Sequence, residues 1–322
     1  MSGALAWLRR RALGLSVARA KRPLGGIPDL TEDRRATLER IVEAFVLGYD
    51  QALAHDRLDR LAGRLADVEA RWRGFAFEGA GMALWLLDSL SLGRGGRWRR
   101  FQSEVAPEHA YLLHVGAGWA LARLRQDWEE RTEGMDPLLR WLVLDGAGFH
   151  AGFFRPDRWH RDHERPRLRA GAHAVFDQGL GRSLWFVHGA MAVRIVSAIE
   201  GFPRERREDL WSGVGLACTY AGGVGPGEAQ HLFAASGSAA PHFAQGVAFA
   251  VAARARGGNP AHHSDEVCRL VWGRPSAEVA ADVERARTRA EEGTGRGGYE
   301  RWRADLRARF SSNRVEVCDA VP

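Results

Sequence analysis

Strand-forming residues are scarce in this chain. Only four isoleucines (27, 41, 195, 199) and six threonines (31, 37, 132, 219, 288, 294) occur in 322 residues, against abundant Ala, Leu, Arg and Glu. β-Branched side chains pack well on a pleated surface, whereas Ala, Leu, Arg and Glu lose little freedom in a helix, so the composition points away from sheet. Cysteine is equally sparse. Cys218, Cys268 and Cys318 stand fifty residues apart with no CxxC or CxxH pairing. That excludes a disulfide framework or a zinc cluster as the organising principle and suits a reducing cytoplasm. No run of 18 apolar residues occurs, so no membrane-spanning helix is expected. No clean apolar stretch follows the basic residues between Met1 and Arg19, so no secretory signal is expected there either.

What is present suffices for a sizeable core. Hydrophobic residues make up 45% and charged residues 27%, ordinary values for a globular chain of one large or two modest domains. The formal net charge, 46 − 40 = +6, comes from an arginine-dominated set and points weakly to an acidic partner. At the N-terminus Trp7, Leu8, Leu13 and Leu15 are mixed with Arg9, Arg10, Arg11 and Arg19. This reads as a terminal arm, docked or frayed, with a basic amphipathic helix at a membrane surface as the alternative. The division expected is a basic arm over 1–34, a core over 35–275 and a cap and tail over 276–322.

Helix starts are legible. Asp136-Pro137, Pro107-Glu108, Phe202-Pro203 and Ala240-Pro241 place Pro where a first turn tolerates it. Apolar residues then recur every three or four positions: Ile41, Phe45, Gly48, Tyr49 and Ala52; Leu112, Val115, Trp119 and Ala122; Trp185, His188, Gly189, Ala192, Ile195 and Ile199. A repeat runs through these helices. Phe77-Glu78-Gly79-Ala80-Gly81, Leu144-Asp145-Gly146-Ala147-Gly148 and Gly213-Val214-Gly215 align, with Gly81, Gly148 and Gly215 each 67 residues apart. Glu78, Asp145 and Ser212 each precede their glycine by three. A second helix type alternates more loosely, at Gly48–Ala52, Gly116–Ala120, Gly189–Ala192 and Gly246–Ala250.

Glycine inside a helix costs about 1 kcal/mol relative to alanine, and close helix–helix approach is the simplest reason to repeat it. The expected fold is therefore all-α: helical hairpins stacked into a solenoid or toroid-like array with a concave groove. The charged stretches Val279–Glu292 and Tyr299–Phe310 lack the glycine motif and read as a helical C-terminal cap.

The runs Asp145-Gly146-Ala147-Gly148-Phe149-His150, Phe176-Asp177-Gln178-Gly179-Leu180-Gly181-Arg182-Ser183-Leu184-Trp185-Phe186 and Asp209-Leu210-Trp211-Ser212-Gly213-Val214-Gly215-Leu216-Ala217 carry a resemblance. Thr219-Tyr220-Ala221-Gly222-Gly223 and Phe243-Ala244-Gln245-Gly246 extend it. Over roughly residues 35 to 275 the chain is similar to the family catalogued as domain of unknown function 1702. Its UnbL-like members are encoded in cassettes beside the iterative enediyne polyketide synthase. The resemblance implies a place in enediyne or related polyketide biosynthesis, where a linear polyene becomes a cyclic core. It carries over no catalytic residue.

The residues themselves nominate a site. Glu78 and Asp145 share one register, and a buried ionised carboxylate must meet a cation or gain a raised pKa suited to acid–base work. Arg182 and Arg194 are the candidate partners, and a structural bridge between hairpins is the plainer reading of the two acids. His150 and Tyr220 are secondary catalytic candidates. Trp85, Trp119 and Trp185 are candidate linings of an aromatic groove for a flat conjugated polyene, with Arg182, His188 and Gln245 as further contacts; each Trp is as simply read as core. No HxxxH or HxxE pair lies in the core, His262-His263 diverge, and His160 and His163 fall in an Arg-rich loop, so no metal site is assigned. The Gly-x-Gly of Asp177–Arg182 follows no strand and reads as a tight loop fixed by Asp177 and Arg182, not a nucleotide site. Gly222–Gly227 lacks the Lys-Ser/Thr of a phosphate loop and reads as a flexible connector. The arginine clusters 97–100 and 155–169 match no nucleic-acid module, but suit an acidic carrier protein.

Three functions follow as expectations. One is an accessory protein that binds and helps process a hydrophobic polyene, free or carrier-tethered. The second is a scaffold that docks the polyketide synthase or a membrane-associated redox protein. The third is a cofactor-free cyclase or isomerase. No cofactor is identifiable from the residues.

Overall fold

The computed structural model describes residues 2–91, 95–169, 171–292 and 297–319. Among the described residues there are seventeen α-helices and no strand. The N-terminal third holds α1 (Ser2–Leu13), α2 (Val17–Gly25), α3 (Glu32–Ala54), α4 (Leu58–Ala66), α5 (Ala70–Leu90) and α6 (Arg97–Arg100). The middle holds α7 (Ala110–Leu124), α8 (Trp128–Arg131), α9 (Arg140–Phe154), α10 (Ala172–Val187), α11 (Ala192–Gly201) and α12 (Arg204–Ala221). The last third holds α13 (Pro226–Ala235), α14 (Ala240–Arg256), α15 (His262–Trp272), α16 (Ser276–Glu292) and α17 (Gly298–Asp319). None of these helices is long and apolar enough to cross a membrane.

Seven helices carry the architecture: α3, α5, α7, α9, α10, α12 and α14, each packed on the next in chain order. Glycine makes this possible. In α5, a Cβ on Gly79 would lie 1.9 Å from the Phe45 carbonyl oxygen of α3, and one on Gly81 would lie 2.7 Å from that of Leu113 in α7. The pattern repeats along the row. The first glycine of each Gly-x-Gly faces the preceding helix and the second faces the following one: Gly116 and Gly118, Gly146 and Gly148, Gly179 and Gly181, Gly213 and Gly215. Each Hα that replaces a Cβ points at a neighbouring carbonyl, the geometry of a Cα–H···O contact. The helical cost of two glycines is thus offset by backbones that touch, which no alanine allows.

Two contacts draw α5 towards the far end of the row. Gly74 lies against the Tyr220 hydroxyl of α12, and the Arg254 guanidinium of α14 reaches the Arg71 carbonyl oxygen at 3.4 Å. Helix α17 lies across the row. Its Trp302 meets Tyr111 of α7 (6.1 Å) and Phe249 of α14 (4.7 Å), and its Tyr299 meets Trp141 of α9 (6.0 Å). The arm is docked: the Tyr49 hydroxyl donates to the Leu13 carbonyl oxygen at 2.8 Å, and Lys21 bridges Glu39 and Glu43.

Four local expectations change. Gly179-Leu180-Gly181 is not a loop; it is the buried interior of α10 and the true counterpart of Gly116 and Gly246. Gly189–Ala192 is not a repeat helix. Gly189 and Ala190 take φ of +63° and +55° and end the α10 segment, so the stripe from Trp185 to Ile199 is broken into two helices. Asp177 is held by Arg206 of α12, at 2.6 and 2.9 Å, and not by Arg182. His160, expected in an Arg-rich loop, is buried in a π-helical turn, with Nε2 2.9 Å from the Ser183 hydroxyl.

Candidate functional site

The residue before the first glycine of each pair sits where two helix axes come closest. Its carbonyl is met by the next helix's glycine: Gly116 over Glu78, Gly179 over Asp145, Gly213 over Gln178 and Gly246 over Ser212. The side chains from these crossings meet inside the row. Asp145 is ion-paired to Arg182 Nη1 and accepts from Gln178 Nε2 at 2.9 Å. Gln178 Oε1 accepts from the Ser212 hydroxyl (3.1 Å) and from Gln245 (3.2 Å), and Gln245 Oε1 accepts from Arg307 (3.3 Å). The result is a polar chain through an apolar interior, joining α9, α10, α12, α14 and α17.

Glu78 stands at the other end of this chain. Its Oε1 accepts from the Trp119 indole at 3.0 Å and lies 3.8 Å from Arg182 Nη2. One guanidinium therefore faces two carboxyl groups, and its closer pair is with Asp145. Burial raises the Glu78 pKa to about 7; Arg182 opposes the rise, Asp145 adds to it and the Trp119 hydrogen bond opposes it. Burial works against the charge on Arg182 as well, but Asp145 and Glu78 outweigh it and lift its pKa above the ordinary value.

Two chambers flank Arg182. The larger, about 420 Å³, is lined mostly by apolar and aromatic side chains, including Phe45, Met82, Trp119, Phe149, Phe153 and Phe186, with Glu78, His150, Arg19, Arg123 and Arg182 as its charged and titratable members. Trp119 is its centrepiece, with ring centroids 4.5 Å from Phe45 and 4.9 Å from Phe149. The turn Gly14-Leu15-Ser16 between α1 and α2 closes one side. The smaller, about 60 Å³, is bordered by Asp145, Tyr220 and Trp302. Arg182, Phe75 and Phe186 belong to both.

The nominated residues divide accordingly. Glu78, Trp119, His150 and Arg182 meet in the large chamber, and Asp145 and Tyr220 meet in the small one. His150 stacks obliquely on Phe154, and burial, with Arg123 and Arg155, lowers its pKa to about 4, so its imidazole is neutral. The Tyr220 hydroxyl and the Asn259 amide are buried together against Gly74, and neither completes a well-aligned hydrogen bond. Burial raises the pKa of Tyr220, with Arg254 opposing.

Four nominees lie elsewhere. Trp85 binds Gln126 (3.0 Å) and packs on Trp98; Trp185 is fully buried and donates to the Gly222 carbonyl oxygen (3.1 Å). Both fill space between helices. His188 ends α10 beside His160 and reaches neither chamber. Gln245 serves the polar chain and lines neither chamber. Arg194 pairs with Asp29, so Arg182 alone meets the acids. The lining phenylalanines and Gln178 were missed by sequence reasoning. Gln178 was open to discovery, because it precedes Gly179 as Asp145 precedes Gly146. Among the described residues no three His, Cys, Asp or Glu side chains gather as a metal site.

Searches of curated proteins and of solved structures return no match. The family model described as "Protein of unknown function (DUF1702)" matches residues 4–310, from the arm through most of α17. The glycine pairs, the buried acids and nearly all of the arm fall inside that span, and the chain belongs to the DUF1702 family.

Proposed function

We propose that this protein binds an apolar, conjugated chain in the large chamber, with Glu78 as its protonatable contact. The observation that carries this reading is the pairing of an aromatic cavity of about 420 Å³ with one carboxyl group whose pKa lies near 7. A volume of that size accommodates a small-molecule ligand. Flat aromatic walls suit a polyene through dispersion and stacking. Near neutral pH Glu78 exists in both protonation states, so it is placed to donate a proton or accept one.

The helical row is read here as a curved, toroid-like array whose concave side is the chamber. Resemblance to proteins of enediyne polyketide cassettes supplies the ligand class: a linear polyene, free or carrier-tethered, that this protein helps process. The scaffold reading predicts the opposite behaviour, capture of a partner protein without binding of small polyenes.

Retinol is a suitable neutral polyene because it accepts excitation energy from tryptophan. It should quench the fluorescence of the wild-type protein saturably. Val42 lines the chamber, so Val42→Trp should fill it and abolish the binding. Absence of saturable quenching in the wild type, or equal binding by a folded V42W protein, rejects this reading.

A further inference from the structure

Arg123, His150 and Phe154 line the large chamber and also line a surface cleft of about 730 Å³. The chamber and the cleft thus share a wall. Phe154 is 46% exposed there, an aromatic ring left at the boundary between a greasy interior and water.

The cleft is strongly cationic. Arg123, Arg125, Arg155 and Arg167 border it, and none of the four makes an ion pair among the described residues. Arg158 also borders it but is matched by Glu164 at 2.6 Å. Asp127 is the one carboxylate among the described lining residues, and it already caps α8 by accepting from the Glu130 amide at 2.9 Å. Arg125 has a backbone oddity of its own. It ends α7 at φ +54°, the left-handed position that glycine usually fills. Keeping an arginine there has a backbone cost, and a side chain needed in the cleft accounts for it.

The chamber's other flank differs. Beside Gly14-Leu15-Ser16 the surface carries both signs, Arg10, Arg40 and Arg64 against Glu43, Asp50, Asp67 and Glu69. Uncompensated charge of one sign occurs on the α7–α9 side alone of these two flanks.

We propose that the chamber's ligand is amphiphilic and phosphate-headed: its chain passes His150 and Phe154 into the chamber while its phosphate docks among Arg123, Arg125, Arg155 and Arg167. This deepens the chain-binding reading above and rests on it. Guanidinium groups match phosphate oxygens in paired hydrogen bonds, and four of them exceed what one carboxylate neutralises. The neutral imidazole of His150 adds no charge at the threshold, so the chain crosses between Phe154 and an uncharged ring. The same chemistry is offered by a phosphopantetheine thioester and by a simple lipid phosphate.

Calorimetric titration of the full chain with tetradecanol, tetradecyl phosphate and tetradecanoyl-coenzyme A tests this. All three share one chain and differ in the head. The phosphate-headed ligands should bind at least about tenfold more tightly than the alcohol, and that advantage should shrink at high salt. Arg155→Ala/Arg167→Ala changes exposed side chains and should erase the advantage while leaving the affinity for tetradecanol unchanged. Binding of the coenzyme A thioester that stays tighter than that of the alkyl phosphate at high salt, where the extra charge of coenzyme A is screened, assigns the site to phosphopantetheine; equal binding there assigns it to a lipid phosphate. Equal affinity for alcohol and phosphate overturns this inference and spares the chain-binding reading, as does an advantage that survives the double substitution. Failure of all three to bind overturns both.

Discussion

Replacing Glu78 by Gln probes the electrostatics of the chamber. Glutamine keeps the acceptor for the Trp119 indole and removes only the ionisation. The Glu78 pKa is about 7 in the folded protein against an ordinary 4.5. A difference of that size corresponds to a contribution on the order of 3 kcal/mol. The sign follows from the raised value. The fold favours the protonated acid, so the contribution is complete below about pH 4.5 and is lost as pH rises through about 7. Other titrating groups are common to both proteins and cancel in the difference. Urea unfolding of wild type and E78Q at pH 5, 6, 7 and 8 should therefore show the variant gaining on the wild type by roughly 1.4 kcal/mol per pH unit up to about pH 7, then levelling. Parallel stability curves would falsify the assignment of Glu78 as a carboxyl group protonated by burial.

Asp145→Asn removes the closer partner of Arg182 and the negative charge that helps hold Glu78 protonated. It should cost about 3–5 kcal/mol in urea unfolding and flatten the pH dependence assigned to Glu78. Gly148→Ala places a Cβ 2.1 Å from the Phe176 carbonyl oxygen and should destabilise by more than about 2 kcal/mol. Gly63→Ala in α4 meets nothing within 4 Å and should stabilise by up to about 1 kcal/mol; equal effects at the two sites would contradict the close-approach account. Trp119→Phe should weaken retinol quenching, whereas Trp185→Phe should leave the retinol affinity as it is, since Trp185 lines neither chamber.

The glycine pairs were readable because their spacing is regular in sequence. Gly81, Gly148 and Gly215 recur every 67 residues and put Glu78, Asp145 and Ser212 in matching sites at helix crossings. The third alternate helix was misread at the same motif. Gly179 and Gly181 carry the local signature of a turn, and only the backbones of α9 and α12 packed against them make a helix the better state. The polar chain was half legible. Arg182 was, with Arg194, a candidate partner for the two acids, but the Asp177–Arg206 pair depends on how α12 docks, which no local pattern records. The chamber's own wall was the least legible part. Phe45, Phe149, Phe153 and Phe186 fall at helical spacing, as any core residue does. That they border a cavity follows from the shape left between helices and from the arm that closes it.

A crystal structure of the protein with retinol bound decides whether the chamber holds a polyene. Continuous density for the polyene is expected between Trp119, Phe149 and Phe186, with its chain against the Glu78 carboxyl and Arg182 still paired to Asp145. Density for retinol at the protein surface, with the chamber collapsed or filled by side chains, would contradict the chain-binding reading.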